Sequence, residues 1–138
     1  HNKNIRVEFK NIDEEIKAFY DEERIIQVIH NLLSNAIKFS DETNGIISIQ
    51  ITENELNVVV TIHNNGKGIK KEDFKAIFDK FYQSRNQNVK KPIGSGLGLA
   101  ICIQIIEHHK GTIWAEENVQ EGATFVFTLP NYNTTENN

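Results

Sequence analysis

Asn31, Asn35 and Lys38 stand at i, i+4 and i+7. On a helix turning about 100° per residue they fall within roughly 60° of arc, a single face. Two amides and an ammonium aligned in this way can hold a polyphosphate and its metal. An amide oxygen is a hard ligand for Mg²⁺, and an ammonium is a point charge for phosphate. Mg²⁺ keeps several waters, so one asparagine can suffice. Seen alone, the same three residues also fit the solvated face of an amphipathic helix.

Two glycine segments offer backbone rather than side chain. Gly66-Lys67-Gly68 follows the end of an expected strand. Glycines there let the main chain approach a flat ligand with no Cβ in the way, although a plain turn has the same composition. Gly94-Ser95-Gly96-Leu97-Gly98-Leu99 enters a run of apolar helix formers. A glycine-rich loop opening a helix presents unpaired N–H groups and the positive end of the dipole, a cradle for phosphate. The spacing is not Gly-x-Gly-x-x-Gly and no lysine follows, so neither a dinucleotide fingerprint nor a P-loop fits.

The elements that must position these residues follow from periodicity. Ile5, Val7 and Phe9 alternate with Arg6 and Glu8, the period-two signature of a strand, and 16–20 reads as a second short strand. Asp21 is placed as a helix N-cap, with Glu22 and Glu23 in the first turn where negative charge suits the dipole. Apolar residues follow at Ile25, Ile29, Leu32 and Ala36, and again at Ile26, Leu33 and Ile37, a helical spacing. Asn44-Gly45 marks a turn. Ile47, Ile49 and Ile51 then alternate, Asn54 turns, and 56–63 is rich in β formers, which together read as a hairpin. Residues 64–68 form a loop, 72–78 a short helix, and 83–92 a polar, basic stretch expected to be mobile. The second glycine segment opens a helix to about His109, with Gly111 placed to end it. Strands are expected at 112–115 and 123–129, and Pro130 ends the pattern. There is no internal repeat. The order suggests a mixed α/β sandwich over 1–130, with 131–138 a polar tail.

The chain has 138 residues, the size of one domain. Its net charge of −4 argues against nucleic acid as a main partner. Cys102 is the single cysteine, which excludes an internal disulfide and a multi-cysteine zinc site. It reads as a small buried hydrophobe in a reduced, cytoplasmic setting. No apolar run approaches the roughly 20 residues of a membrane helix. The polar start, His1-Asn2-Lys3-Asn4, is neither a signal nor a transit peptide. No direct membrane contact is expected of this domain, and any anchor of a longer parent lies outside this chain.

Together the segments resemble the catalytic ATP-binding domain of sensor histidine kinases, within the GHKL or Bergerat ATPase superfamily. His30-Asn31-Leu32-Leu33-Ser34-Asn35-Ala36-Ile37-Lys38-Phe39-Ser40 is similar to the family's N box. Asn64-Asn65-Gly66-Lys67-Gly68-Ile69 resembles the first glycine box, and Phe78-Asp79-Lys80-Phe81-Tyr82 the F box. Gly94-Ser95-Gly96-Leu97-Gly98-Leu99-Ala100 resembles the second glycine box, and Gly122-Ala123-Thr124-Phe125 the short final motif. Five boxes in order, over about 5–130, outweigh the plain readings of each alone.

The resemblance implies the Bergerat ATP-binding fold: a two-layer α/β sandwich whose mixed, mostly antiparallel sheet carries three helices on one face and a mobile ATP lid. It implies ATP and Mg²⁺, with Asn35 on the metal and Asn31 and Lys38 as catalytic contacts to the phosphates. Phe39 would pack on the adenine ring. Asn64, Gly66, Gly68 and Ile69 would belong to the same nucleotide site. Residues 83–92 would be the lid, with Gly94, Gly96 and Gly98 as its hinge and phosphate cradle and Ser95, Leu97 and Leu99 within that box. Arg85, Lys90 or Lys91 would reach the γ-phosphate, Phe81 would help seat the lid, and Thr124 would approach the adenine edge through water. The implied partners are the dimerisation helices of the same parent, which carry the phosphoacceptor histidine, and a response regulator downstream. Phe78 and Phe81 would help to form the surface that meets those helices. Trp114 reads as core or partner-facing.

One residue departs from the family pattern. The first glycine box usually opens with Asp, which accepts a hydrogen bond from the adenine amine, and here the position holds Asn64. Its amide oxygen still accepts, without a charge, so intact but weaker binding is expected. Superfamily ATPases carry a general-base Glu four residues before the metal-binding Asn. Here that residue is Asn31, which cannot take a proton from water, so transfer to a protein is favoured over hydrolysis. None of His30, His63, His108 and His109 resembles the family's phosphoacceptor. Two other readings stand beside this one: a serine kinase of the anti-sigma type on the same fold, and a pseudokinase module that binds partners without nucleotide, supported by Asn64 alone.

Overall fold

A computed structural model describes residues 5–10, 16–41, 43–66, 96–117 and 122–131. The described elements run β1 (Ile5–Lys10), α1 (Glu22–Phe39), β2 (Gly45–Glu53), β3 (Asn57–Asn64), α2 (Gly96–His108), β4 (Ile113–Glu117) and β5 (Ala123–Pro130). The five strands form one sheet in the order β1-β2-β3-β5-β4, with β1 parallel to β2 and every other pairing antiparallel. The parallel pair needs a long crossover, and α1 supplies it.

α1 begins where its sequence directs. The Asp21 side chain accepts a hydrogen bond from the Arg24 N–H at 3.3 Å, Glu22 and Glu23 occupy the first turn, and Lys38 the last. Ser40 closes the helix, its hydroxyl donating to the Ile37 carbonyl at 2.8 Å. Ile25, Val28, Leu32 and Ala36 are buried, whereas Ile26 and Ile37 are exposed. Those two stand well over 100° around the helix from Leu32, so a second apolar spacing does not become a second buried face. In the hairpin, the Asn54 side chain accepts from the N–H groups of Leu56 and Asn57 at 3.0 and 2.8 Å, the local turn that its residue type favours.

One face of the sheet carries the core. Ile47 and Ile49 of β2, Val58, Val60 and Ile62 of β3, and Phe125, Phe127 and Leu129 of β5 pack with both helices, α2 contributing Leu99, Cys102, Ile105 and Ile106. Val7 and Phe9 align with Ile47 and Ile49 but stay 47% and 66% exposed, because β1 is the edge strand beyond the reach of α1. Trp114 is half-buried, and its ring N–H donates to Glu116 Oε2 at 3.1 Å. Among the described residues no helix is long and apolar enough to cross a membrane.

Several expectations need correction. Residues 16–20 make only an isolated bridge, Ala18 to Asn131. Asn131, assigned above to a polar tail, is 1% exposed and belongs to the folded body. Pro130 is the last residue of β5 rather than its stop. α2 does not end on a glycine in the left-handed region: Lys110 takes that conformation with φ 65°. The Lys110 N–H bonds the Glu107 carbonyl and the Gly111 N–H bonds that of Ile106, both at 2.9 Å, a Schellman closure. Gly111 is required for space, since a Cβ there would collide with the Thr128 carbonyl oxygen of β5. His109 does more than complement a dipole. Its Nδ1–H donates to the Ile105 carbonyl at 2.8 Å, and its Nε2 accepts the Asp21 N–H at 3.0 Å, which ties the end of α2 to the start of α1. Two of the three expected helices are described, both on one face. The expected helix at 72–78 lies outside the described residues.

Candidate functional site

The polar flank of α1 faces α2. Asn31 Nδ2–H donates to Cys102 Sγ at 3.7 Å, and the Cys102 thiol lies 3.9 Å from the Val28 carbonyl that it donates to. Burial pushes this thiol up to about 11, the hydrogen bond from Asn31 pulling the other way, so it stays protonated. One turn on, Asn35 Nδ2–H donates to the Asn31 carbonyl at 2.8 Å. That bond fixes the amide of Asn35 and turns Oδ1, the hard donor, away from the helix backbone. Lys38 lies a turn further along the same flank. Partial burial holds its ammonium below the ordinary value, a desolvation that an anion beside it would offset.

The end of β3 is joined to the end of α1. Ser40 bridges to Gly66, and the Asp41 N–H donates to the Asn65 carbonyl at 3.0 Å. Asn65 is a junction: its Oδ1 accepts the Ile46 N–H at 2.8 Å, its Nδ2–H donates to the Asn44 carbonyl at 2.7 Å, and its own N–H donates to the Ile46 carbonyl at 3.1 Å. Beside it Asn64 is fully buried, lying in register between Ile47 and Ala123 on the helix-bearing face. Asn64 Nδ2–H donates to the Asn65 carbonyl at 2.9 Å, whereas Oδ1 is buried with no hydrogen-bond partner among the described residues. Leaving such an acceptor unmade costs about 1–3 kcal/mol, so an orphan of this kind calls for a ligand that donates to it. Gly122, at φ 103°, closes the other side, where a Cβ would collide with the Asn64 carbonyl oxygen.

The fold therefore sets Asn31, Asn35 and Lys38 on one flank of α1, with the helix end bonded to the strand end that carries Asn64. Gly66 continues from it with φ 134°. Gly96, Leu97, Gly98 and Leu99 form the first turn of α2, and Leu99 is buried. Phe39 closes α1. Thr124 is not brought to Asn64. Its register partner is His63, and Thr124 Oγ1 lies 2.8 Å from His63 Nδ1, on the sheet face away from Asn64. The residue paired with Asn64 is Ala123. The expectation that Thr124 approaches the adenine edge is corrected on this geometry, because one step along a strand reverses the face. Gly68, Ile69, Phe81, Arg85, Lys90, Lys91, Gly94 and Ser95, with Phe78 and the expected lid at 83–92, lie outside the described residues. Asn65 was missed as a site residue: its double fork is formed with residues about 20 positions away, and only the Asn-Asn-Gly run hinted at it.

Residues 20–133 match the family described as "Histidine kinase-, DNA gyrase B-, and HSP90-like ATPase". The chain is 37% identical over 119 residues to the sensor histidine kinase WalK of Bacillus subtilis (strain 168), covering 86% of this chain and 20% of that protein. It thus spans about a fifth of that relative's length. The catalytic domain of the histidine kinase ThkA superposes with a TM-score of 0.77 at 36% identity, covering 91% of this chain and 80% of that one. ThkA solved in complex with the response regulator protein TrrA gives a TM-score of 0.74 at 35% identity, over 91% of this chain and 34% of that one. Boxes, fold and relatives agree, and the chain belongs to this ATPase family as an ATP-binding catalytic domain of the two-component sensor histidine kinase type.

Proposed function

We propose that this domain holds Mg²⁺·ATP between the polar flank of α1 and the end of β3, and gives the γ-phosphoryl to a histidine on the dimerisation helices of a longer parent, from which a response regulator receives it. The observation that carries this reading is the buried, unpartnered Oδ1 of Asn64 beside the end of α1. It accepts from the exocyclic amine of adenine. Asn35 Oδ1 supplies the metal with a hard ligand, and Asn31 and Lys38 contact the phosphates. When bound, Mg²⁺ offsets charge on the phosphate oxygens. The residues of the chain position the groups, which is most of what phosphoryl transfer asks of a protein. The Asn31 amide cannot act as a base toward water, so ATP persists until an acceptor arrives. The ThkA complex with TrrA supports a response regulator as the later partner.

The test is calorimetric titration of the 138-residue chain with a non-hydrolysable ATP analogue, with and without Mg²⁺, beside Asn35→Ala. Micromolar to sub-millimolar binding that needs Mg²⁺ and weakens in the variant is expected. A folded chain that binds no adenine nucleotide would overturn the reading in favour of a regulatory module.

A further inference from the structure

Asn-Gly occurs twice in the chain, at Asn44-Gly45 and at Asn65-Gly66. A glycine leaves the peptide nitrogen after an asparagine open to approach, because no Cβ shields it. That nitrogen can then attack the side-chain amide carbon of the asparagine. By sequence the two pairs are equivalent, and the structure separates them. The Asn65 amide is bonded at both ends, Oδ1 to the Ile46 N–H at 2.8 Å and Nδ2 to the Asn44 carbonyl at 2.7 Å. Asn44 is the reverse. Its main chain is held, the N–H by Asp41 Oδ1 at 3.0 Å and the carbonyl by Asn65. Its side chain is not: the residue is exposed, and neither end of its amide bonds any described residue.

We propose that Asn44 is a site of self-modification, losing ammonia to Gly45 in the folded chain while Asn65 stays intact. The Gly45 nitrogen forms a bond to Asn44 Cγ, the Cγ–Nδ2 bond breaks, and ammonia leaves with the proton of the Gly45 N–H. Water then opens the cyclic imide at one of its two carbonyls, and nothing is oxidised or reduced. Opening at Cγ gives aspartate. Opening at the main-chain carbonyl gives isoaspartate, in which the chain runs through Cβ and Cγ and is one carbon longer. The Asn65 amide straddles this bond, gripping Asn44 on one side and Ile46 on the other. Aspartate leaves both grips in place. In isoaspartate the gripped carbonyl becomes a free carboxylate beside a lengthened chain, and the two grips no longer match. The turn between α1 and β2 is thereby loosened. The step needs only water, so it is independent of the ligand that the site takes.

The test holds the 138-residue chain at mildly alkaline pH, folded in buffer and unfolded in urea. Both Asn-Gly peptides are followed by mass spectrometry, with fragmentation that separates aspartate from isoaspartate. Unfolded, the two should convert at similar rates. Folded, Asn44 should convert roughly tenfold faster than Asn65 or more, because the two bonds of Asn65 must first open. Asn44→Ala should silence most of the ammonia release of the folded chain. Alanine fits there, since among the described residues Lys110 alone, glycines aside, has a positive φ. The isoaspartyl form, separated by chromatography, should show a lower urea midpoint, whereas Asn44→Asp stays close to the wild-type chain. Equal rates in the folded chain, faster loss at Asn65, or an Asn44 that converts only when unfolded overturns the proposal. An isoaspartyl form as stable as the parent chain overturns the loosening of the turn.

Discussion

Asn64 and Asn131 sit near opposite ends of the β3–β5 ladder, and both are buried, at 0% and 1% exposure. Their chemistry differs. Asn131 Nδ2 donates to the carbonyls of Asn54 and Glu55, each at 2.9 Å, and its N–H donates to the Leu56 carbonyl at 2.9 Å. It staples the hairpin turn to the end of β5. Asn64 spends its donor on one carbonyl and keeps its acceptor unsatisfied. An amide whose bonds close within the protein serves the fold. An amide whose buried acceptor stays open is a cost to the fold that only a ligand offsets.

The contrast can be broken by splitting stability from binding. Asn131→Ala removes both staples and should lower stability by about 2–3 kcal/mol in urea unfolding, leaving nucleotide affinity of the folded chain unchanged. Asn64→Leu should do the reverse. It replaces the orphan acceptor by an apolar group of similar size, so stability should move by only about 1 kcal/mol in either direction while affinity for the ATP analogue falls roughly tenfold or more. If both variants lost stability alike, with binding intact, the distinction would collapse. Asn64→Asp sharpens it from the other side: a charged acceptor should raise affinity by about 1 kcal/mol, roughly fivefold, and an unchanged or lower affinity would sink the argument that the amide is a weak acceptor.

The smallest effect lies on the other face of the sheet. Burial, then the nearby Lys10 charge, holds the His63 imidazole below its ordinary value of 6.5. The folded state thus resists the proton more than the unfolded chain does. Its contribution is complete above pH 6.5 and is lost as pH falls from there through the lowered folded value. Urea midpoints should fall modestly over that window, and His63→Gln should flatten the slope without changing nucleotide affinity at neutral pH.

Much of this was legible in the sequence where the signal is local. Asp21 as N-cap, the spacing of Ile25, Leu32 and Ala36, the Asn54 turn and the alternation of β2 all depend on neighbours within a few residues, and each element formed as read. What failed depends on distant partners. Alternation put Val7 and Phe9 on one face but could not say that neither described helix would cover them at the sheet edge. The Gly122-Ala123-Thr124-Phe125 motif does not reveal which of its residues faces Asn64, because that follows from the register with β3. Gly111 suggested a left-handed cap and instead makes room for β5, a contact with a residue 17 positions on, Thr128. At the site, the alignment of Asn31, Asn35 and Lys38 was visible from spacing. The state of the Asn64 acceptor was not, since it depends on Asn65, Asp41 and Asn44 meeting in space.

The double fork of Asn65 also bears on how the chain ages. An asparagine followed by glycine is the sequence most open to cyclisation, when the next peptide nitrogen attacks the side-chain amide carbon and ammonia is lost. Asn65 precedes Gly66, and its amide is held at both ends, by the Ile46 N–H and the Asn44 carbonyl, so that it is not free to turn into the attack geometry. The bonds that organise the end of β3 thereby lengthen its chemical lifetime. Were the ring to close and water then open it, the new carboxylate would have no donor for the Asn44 carbonyl and would oppose it with charge, so a single lost ammonia would undo the junction.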